Sequence, residues 1–202
     1  MIDAGSLKGA WRSERLMYRA IENNEKDTAF VFGLSADPTN VGMSAPFLLR
    51  PPTTKSVQDF MGSFLNGPAT LFSALMCLPP MSEGDQPTPI GLINLCRALP
   101  GAEHHRNAIV GLGIVEDSRG KGYGKEAINF ILDFAFRQAN LHRVGIKVFS
   151  YNHVALDLYK KLGFVEEGRE RENHYFDCQY HDTILLSMLD HEWVSRRRPD
   201  QS

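Results

Sequence analysis

The chain has 202 residues, 43% hydrophobic and 23% charged, with a formal net charge of −2. That composition supports one compact domain with a full core and room for a long loop, and beyond the run Arg196-Arg197-Arg198 it offers no basic footprint for nucleic acid. No apolar stretch approaches a membrane span, and the charges scattered over Asp3, Lys8, Arg12, Glu14 and Arg15 are not those of a signal peptide.

Ser13 to Arg19 is expected as a first strand, with Leu16 and Tyr18 on one face. A short helix follows from Asp27, as cap, to Leu34, and Ser35 to Thr54 is rich enough in Pro, Gly and Ser to read as an ordered loop. Val57, Phe60, Met61, Phe64 and Leu65 then fall at helical spacing, with Ser56 as cap and Asn66-Gly67 as stop. Thr70 to Leu78 and Ile90 to Leu95 read as strands, and the proline-rich stretch 79–89 between them as a surface excursion. Pro100-Gly101 marks a turn before a strand from Asn107 to Val115, where Gly111 and Gly113 suggest a bulge or a close backbone approach. Ala127, Ile128, Ile131, Leu132 and Ala135 give one apolar helix face ending near Asn140. Val144 to Phe149 is a strand, Asn152 to Phe164 a helix with Asn152 as N-cap and Gly163 as stop, and Phe164 to Arg169 and His181 to Leu189 are further strands.

The stretch between the Asn107 strand and the Ala127 helix carries the chemistry. Gly120, Gly122 and Gly124 alternate with Arg119, Lys121, Tyr123 and Lys125. Bare amides, cations and the positive end of a helix together make a phosphate site. A Walker loop is excluded, because no Lys-Ser or Lys-Thr follows a glycine at the required spacing. A dinucleotide fingerprint from Gly120 would need glycine where Lys125 stands, and would sit near a domain start. The pattern Arg-x-x-Gly-x-Gly over Arg119, Gly122 and Gly124 does fit, and Asn152 to Phe164 reads N-x-x-A-x-x-L-Y-x-x-L-G-F downstream of it.

On these two motifs the chain resembles the GNAT superfamily of acyl-CoA N-acyltransferases, over roughly Arg15 to Leu189. Ser13-Glu14-Arg15-Leu16 and Glu166-Glu167-Gly168-Arg169-Glu170-Arg171 resemble the branch holding ribosomal-protein N-terminal and spermidine N-acetyltransferases. The resemblance implies an α+β fold: a mixed, mostly antiparallel sheet with one parallel pair, its central strands splayed, helices on both sides. It implies a single domain over residues 1–195 and a short basic tail over 196–202. It implies acetyl-CoA as donor, with the pantetheine arm near Ile114 and Val115, the pyrophosphate on the amides from Arg119 through Gly120, Lys121, Gly122 and Tyr123 to Gly124, and Asn152 holding either the arm or the helix start. On the phosphate side Gly122 and Gly124 are expected to be least replaceable. Tyr159 matches the residue that receives the departing thiolate.

The expected reaction is acetyl transfer to a small amine or a peptide N-terminus, with a non-catalytic CoA-sensing domain as the alternative. An α-amine titrates near ~8 and a lysine-like amine near ~10.4, so a base matters more for the second. Some relatives carry a glutamate in the strand before Asn152, where this chain has Lys147. Glu116, Glu172, His174 and a water chain remain open as the base. The acids from Glu166 to Asp182 are read either as a rim drawing cationic amines or as a solvated hairpin. Cys77, Cys96 and Cys178 are odd in number and far apart, as reduced thiols of a cytoplasmic protein would be. No metal-ligand spacing is present; His104-His105 reads as solvated. Membrane and nucleic-acid partners are not expected, and a homodimer stays open.

Overall fold

The computed structural model describes residues 9–82, 84–97 and 101–197. Seven strands form one sheet in the order β1-β2-β3-β4-β5-β7-β6. They are β1 Met17–Arg19, β2 Thr70–Leu78, β3 Thr88–Arg97, β4 Asn107–Ile114, β5 Arg143–Phe149, β6 Val165–Phe176 and β7 Gln179–Leu189. Every pairing is antiparallel except β4 with β5. Among the described residues six α-helices accompany them: α1 Glu25–Ala36, α2 Pro38–Ser44, α3 Thr54–Phe60, α4 Tyr123–Asp133, α5 His153–Leu162 and α6 Asp190–Arg197. None of the described helices is long and apolar enough to cross a membrane.

The alternation of each strand sends its side chains to two cores. Ile93, Leu95, Ala108, Val110, Val144, Ile146 and Val148 pack beneath Ala127, Ile128, Ile131, Leu132 and Tyr159 of α4 and α5. On the opposite face Val31, Val57, Met61, Leu65, Leu75 and Cys77 form a smaller core under α1 and α3. The apolar stripes expected of the Val57 and Ala127 helices are the ones that bury, except that Phe64 is 47% exposed. Both helices end in a π turn, at Met61–Leu65 and Phe134–Gln138. In α5, Asn152 caps the start and Gly163 stops the helix at φ 98°, as the sequence leads one to expect.

Several boundaries differ, each for a local reason. β1 begins at Met17 rather than Ser13, because Ser13 to Leu16 bonds to Glu126 instead of to β2. Asp27 is not the cap of α1. Asn24 is, and accepts the Asp27 amide at 2.8 Å. The Asp27 side chain is instead buried in a two-pronged pair with Arg19, at 2.8 and 2.7 Å. Burial pushes its carboxyl up, but the bonds from Arg19 and the Glu22 amide outweigh that and hold it below the ordinary carboxylate range. The Ser35 to Thr54 loop contains α2, and α3 is capped by Thr53, with Ser56 as the reciprocal partner of a capping box. β3 starts at Thr88, which shortens the excursion to residues 79–87. β4 pairs with β3 without a bulge; its glycines serve close approach, since a Cβ on Gly111 would stand 2.3 Å from Asn94 Oδ1.

The basic tail does not begin at 196. Arg196 and Arg197 belong to α6, where Trp193 Nε1 and Arg197 both reach Asp133, at 3.2 and 2.7 Å. Arg196 lies against Gly163, its Nε 2.0 Å from where a Cβ would be. Arg198 lies outside the described residues.

Candidate active site

The only parallel pairing in the sheet is cut short. β4 and β5 pair at Asn107–Arg143, Ala108–Val144 and Ile109–Gly145, yet β4 runs on to Ile114 and β5 to Phe149. On their outer sides both strands stay bonded, β4 to β3 as far as Ile114 and β5 to β7 as far as Phe149. A slot therefore opens between the far halves of two central strands. The Val115 amide bonds Ile90 on β3 at 2.9 Å. Strand alternation then turns the backbone groups of Val110, Leu112 and Ile114 toward the slot. Backbone groups on such an edge need partners.

α2 straps the slot. Asp37, its N-cap, accepts Arg119 Nη2 at 2.5 Å. Asn40 lies over Gly113 on β4, 3.4 Å from the place of a Cβ. At the other end the Gly42 carbonyl accepts the Tyr151 hydroxyl, and the Met43 carbonyl accepts Asn152 Nδ2 at 3.0 Å. With no broad apolar stripe, this helix is held mainly by side-chain-to-backbone ties from two distant loops.

Over the mouth of the slot lies the glycine loop. Gly120 and Gly122 have φ of 72° and 85°, and Gly122 opens α4. Among the described residues, the amides of Gly120, Lys121, Gly122, Tyr123 and Gly124 donate no hydrogen bond within the chain. Lys121 and Lys125 are exposed beside them. Five free donors, a helix N-terminus and two cations fit a diphosphate. Arg119 stands apart from this set. Its amide bonds Glu116, its Nε bonds the Ile114 carbonyl at 2.9 Å and its guanidinium pairs with Asp37. Gly124 is also different, because a Cβ there would meet Ile114, Leu112 and Leu158 at 3.6 Å, inward toward the strand rather than outward.

The loop is braced from the start of the chain. Glu126 accepts Ser13 Oγ and the Arg15 amide at 2.6 Å, the Leu16 amide at 3.1 Å and Arg15 Nε at 2.9 Å. Arg15 also donates to the Lys121 carbonyl at 3.0 Å and lies over the Tyr123 ring. Burial pushes the Glu126 carboxyl up, but the Ser13 and Arg15 bonds outweigh it and hold it below its ordinary value. Glu126, Asp37 and Tyr151 were not read as functional from the sequence. An acid in the first turn of a helix was the available signal for Glu126.

Of the remaining predicted residues, Asn152 is fully engaged, capping Ala155 at 3.1 Å and tying Met43. Tyr159 is 8% exposed, beside Phe164, and its hydroxyl has no partner among the described residues. Burial pushes its phenol up to about 12.

A cleft of about 240 Å³ adjoins the slot on the α2 side. Lys147 to Phe149, in the parted half of β5, form one wall; Met43, Ser44 and Pro46 form another, and Glu170, Asn173 and His174 of β6 close it. The acids that could form a rim drawing cationic amines are paired. Glu166 meets Lys160 and Arg169 at 2.8 and 2.9 Å, Glu167 meets Arg143, Glu170 meets Lys147 at 3.2 Å, and Asp182 lies 3.7 Å from Arg169. Among the described residues of this hairpin, only Glu172 and Asp177 lack a basic neighbour.

A sheet split between its two parallel strands, with a glycine loop of unpaired amides over the split and a tyrosine-bearing helix beside it, defines the acyl-CoA N-acyltransferase class of fold. Residues 58–164 match the acetyltransferase (GNAT) family, and the chain belongs to that family. It is 34% identical over 92 residues to a spermidine N(1)-acetyltransferase of Vibrio cholerae serotype O1, covering 46% of this chain and 53% of the relative. To the putative ribosomal N-acetyltransferase YdaF of Bacillus subtilis it is 32% identical over 93 residues, covering 46% and 51%. The chain thus spans about half the length of these curated relatives. An uncharacterized N-acetyltransferase of Bacillus licheniformis, p20, aligns over 90% of this chain and 97% of its own at 24% identity. Among solved structures, a Vibrio cholerae spermidine N-acetyltransferase in complex with CoA and spermine superposes with a TM-score of 0.73 at 24% identity, covering 89% of this chain and 98% of that one. A dodecameric form of the Vibrio cholerae enzyme gives 0.69 at 26% identity, covering 90% and 98%.

Proposed function

We propose that the protein transfers an acetyl group from acetyl-CoA to a primary amine by direct attack. The observation that carries this reading is the parting of β4 from β5 beyond Ile109 and Gly145, beneath a loop of unpaired amides. Acetyl-CoA supplies the thioester; the chain supplies the rest. The amides of Gly120 to Gly124, with Lys121 beside them, hold the diphosphate. The slot-facing groups of Val110 and Leu112 and the Ile114 amide pair with the pantetheine arm, and a slot N–H receives the oxyanion. Tyr159 holds the leaving sulfur by a hydrogen bond. With its phenol near 12, full proton transfer to a thiolate near 8.5 would run uphill by about 5 kcal/mol. Arg119 and Asn152 hold the site in shape.

The relatives named for spermidine suggest a small amine, but Glu170, the acid that lines this cleft, is paired with Lys147. We therefore favour an amine whose remainder carries no second cation, either a small monoamine or a peptide N-terminus. Free thiols on Cys77, Cys96 and Cys178 support a reducing, cytoplasmic setting. The test is free-thiol release from acetyl-CoA against monoamines, N-terminal peptides, polyamines and lysine peptides, beside a calorimetric titration with CoA. Turnover with a monoamine or peptide supports the reading. CoA binding without turnover of any amine returns it to a sensor, and indifference to CoA ends it.

A further inference from the structure

We propose that His174 is the general base of the transfer, acting through Nδ1, with Tyr151 fixing the tautomer that leaves Nδ1 bare. The proposal rests on the acetyl-transfer reading.

The hydrogen bonds determine which nitrogen carries the proton. The Gly42 carbonyl can only accept, so the single Tyr151 hydroxyl proton is spent on it. The Tyr151 oxygen is then an acceptor toward His174 Nε2, 3.2 Å away. Nε2 must bring the hydrogen, and in a neutral ring Nδ1 keeps its lone pair. Nδ1 has no partner among the described residues. The ring is also fixed in orientation, stacked on Phe149 at 3.9 Å with 11° between planes. Phe149 ends the parted half of β5, so the base and the slot share a wall.

The other candidates are engaged elsewhere. Lys147 is tied to Glu170, and Glu170 also accepts Asn173 at 2.7 Å. His181, whose Nε2 meets the Phe176 carbonyl at 3.3 Å, does not line the cleft. Glu172 and Glu116 do not line the cleft. The groups facing His174 are Lys147 and Tyr151 from β5 and the turn after it, His181 and Thr183 from β7, and Glu170 on its own strand; α2 brings carbonyls and no charge. Lys147 and Glu170 largely cancel. Burial, and secondarily His181, lower the His174 imidazole from its ordinary value, so it stays neutral at pH 7.

The step balances without a further reactant. The amine nitrogen bonds the acyl carbon, the carbon–sulfur bond breaks, one amine proton passes to Nδ1, and the sulfur leaves as thiolate on the Tyr159 hydrogen bond until solvent protonates it. His174 returns its proton to solvent.

His174→Gln keeps an amide N–H for Tyr151 and removes the base. We expect turnover to fall by about 100-fold or more, CoA affinity to stay unchanged, and the inflection below 6.5 in the pH profile to vanish, leaving only the limb set by the amine's own titration. Ring ¹⁵N shifts of His174 in the intact wild-type protein give a readout that no misfolded variant can confuse. They should show the Nε2–H tautomer and a titration below 6.5. An Nδ1–H tautomer, or an inflection below 6.5 that survives in His174→Gln, overturns the proposal while leaving acetyl transfer intact. A wild-type protein that turns over no amine overturns acetyl transfer itself and this step with it.

Discussion

Arg119 Nη2 lies 2.5 Å from Asp37, the residue that caps the strap helix α2. The motif residue nearest the start of the loop is therefore a tie between two parts of the site. Asp37→Ala removes both the Thr39 cap bond and this pair, and should cost about 1–2 kcal/mol in chemical denaturation. CoA affinity should fall with it, because α2 spans the slot. Unchanged affinity by calorimetry would separate the strap from the donor site.

Glu126→Ala should be more damaging, since four donors lose one carboxylate. Hydrogen bonds to a charged group contribute about 1.5–3 kcal/mol, and the loss should lie in or above that range. The pH dependence follows from the lowered Glu126 carboxyl. Its contribution is complete above the unfolded value of 4.5 and is lost as pH falls through the lower folded value. Denaturation midpoints of wild type and Glu126→Gln should therefore converge on acidification below about 4.5. Curves that stay parallel would show that the carboxylate is not what holds Ser13 to Leu16.

The three loop glycines should not behave alike. Gly122→Ala puts a side chain at φ 85° and should cost about 1–2 kcal/mol, with a loss of CoA affinity near tenfold. Gly124→Ala meets ordinary contacts at 3.6 Å and replaces glycine inside a helix. It should leave CoA affinity within about twofold and raise stability by up to ~1 kcal/mol. Equal losses in the two variants would show that Gly124 also faces the phosphate.

Tyr159→Phe removes a hydroxyl without a partner, so stability should hold within about 0.5 kcal/mol. Turnover should fall by about 100-fold while CoA affinity is kept. Parallel losses in turnover and affinity would make it a packing residue.

The helix bearing Tyr159 was legible because it carries its own start, stripe and stop, and the helix behind the glycine loop because it carries its own stripe. Asn152, Gly163 and the run from Ala127 to Ala135 act within a few residues of where they stand. The strap was not legible, because α2 buries only Gly42 and takes its stability from Arg119, Tyr151 and Asn152, more than eighty residues away. Its Pro, Gly and Ser content gave the opposite signal. The slot itself followed from resemblance alone, since no local pattern says where a strand pair stops. The pairing of the hairpin acids was hidden for a similar reason: the sequence displays the acids from Glu166 to Asp182, but their partners Lys160, Arg143 and Lys147 come from neighbouring elements.

The placement of Arg196 over Gly163 changes what the far end of the chain is for. Shortening the protein ahead of α6 would strip a lid from the carbonyl end of the helix that presents Tyr159, and would free Asp133 from both Trp193 and Arg197. A trimmed variant should thus lose catalysis before it loses its fold, and Arg196 and Arg197 stand as masonry behind the two helices that flank the slot.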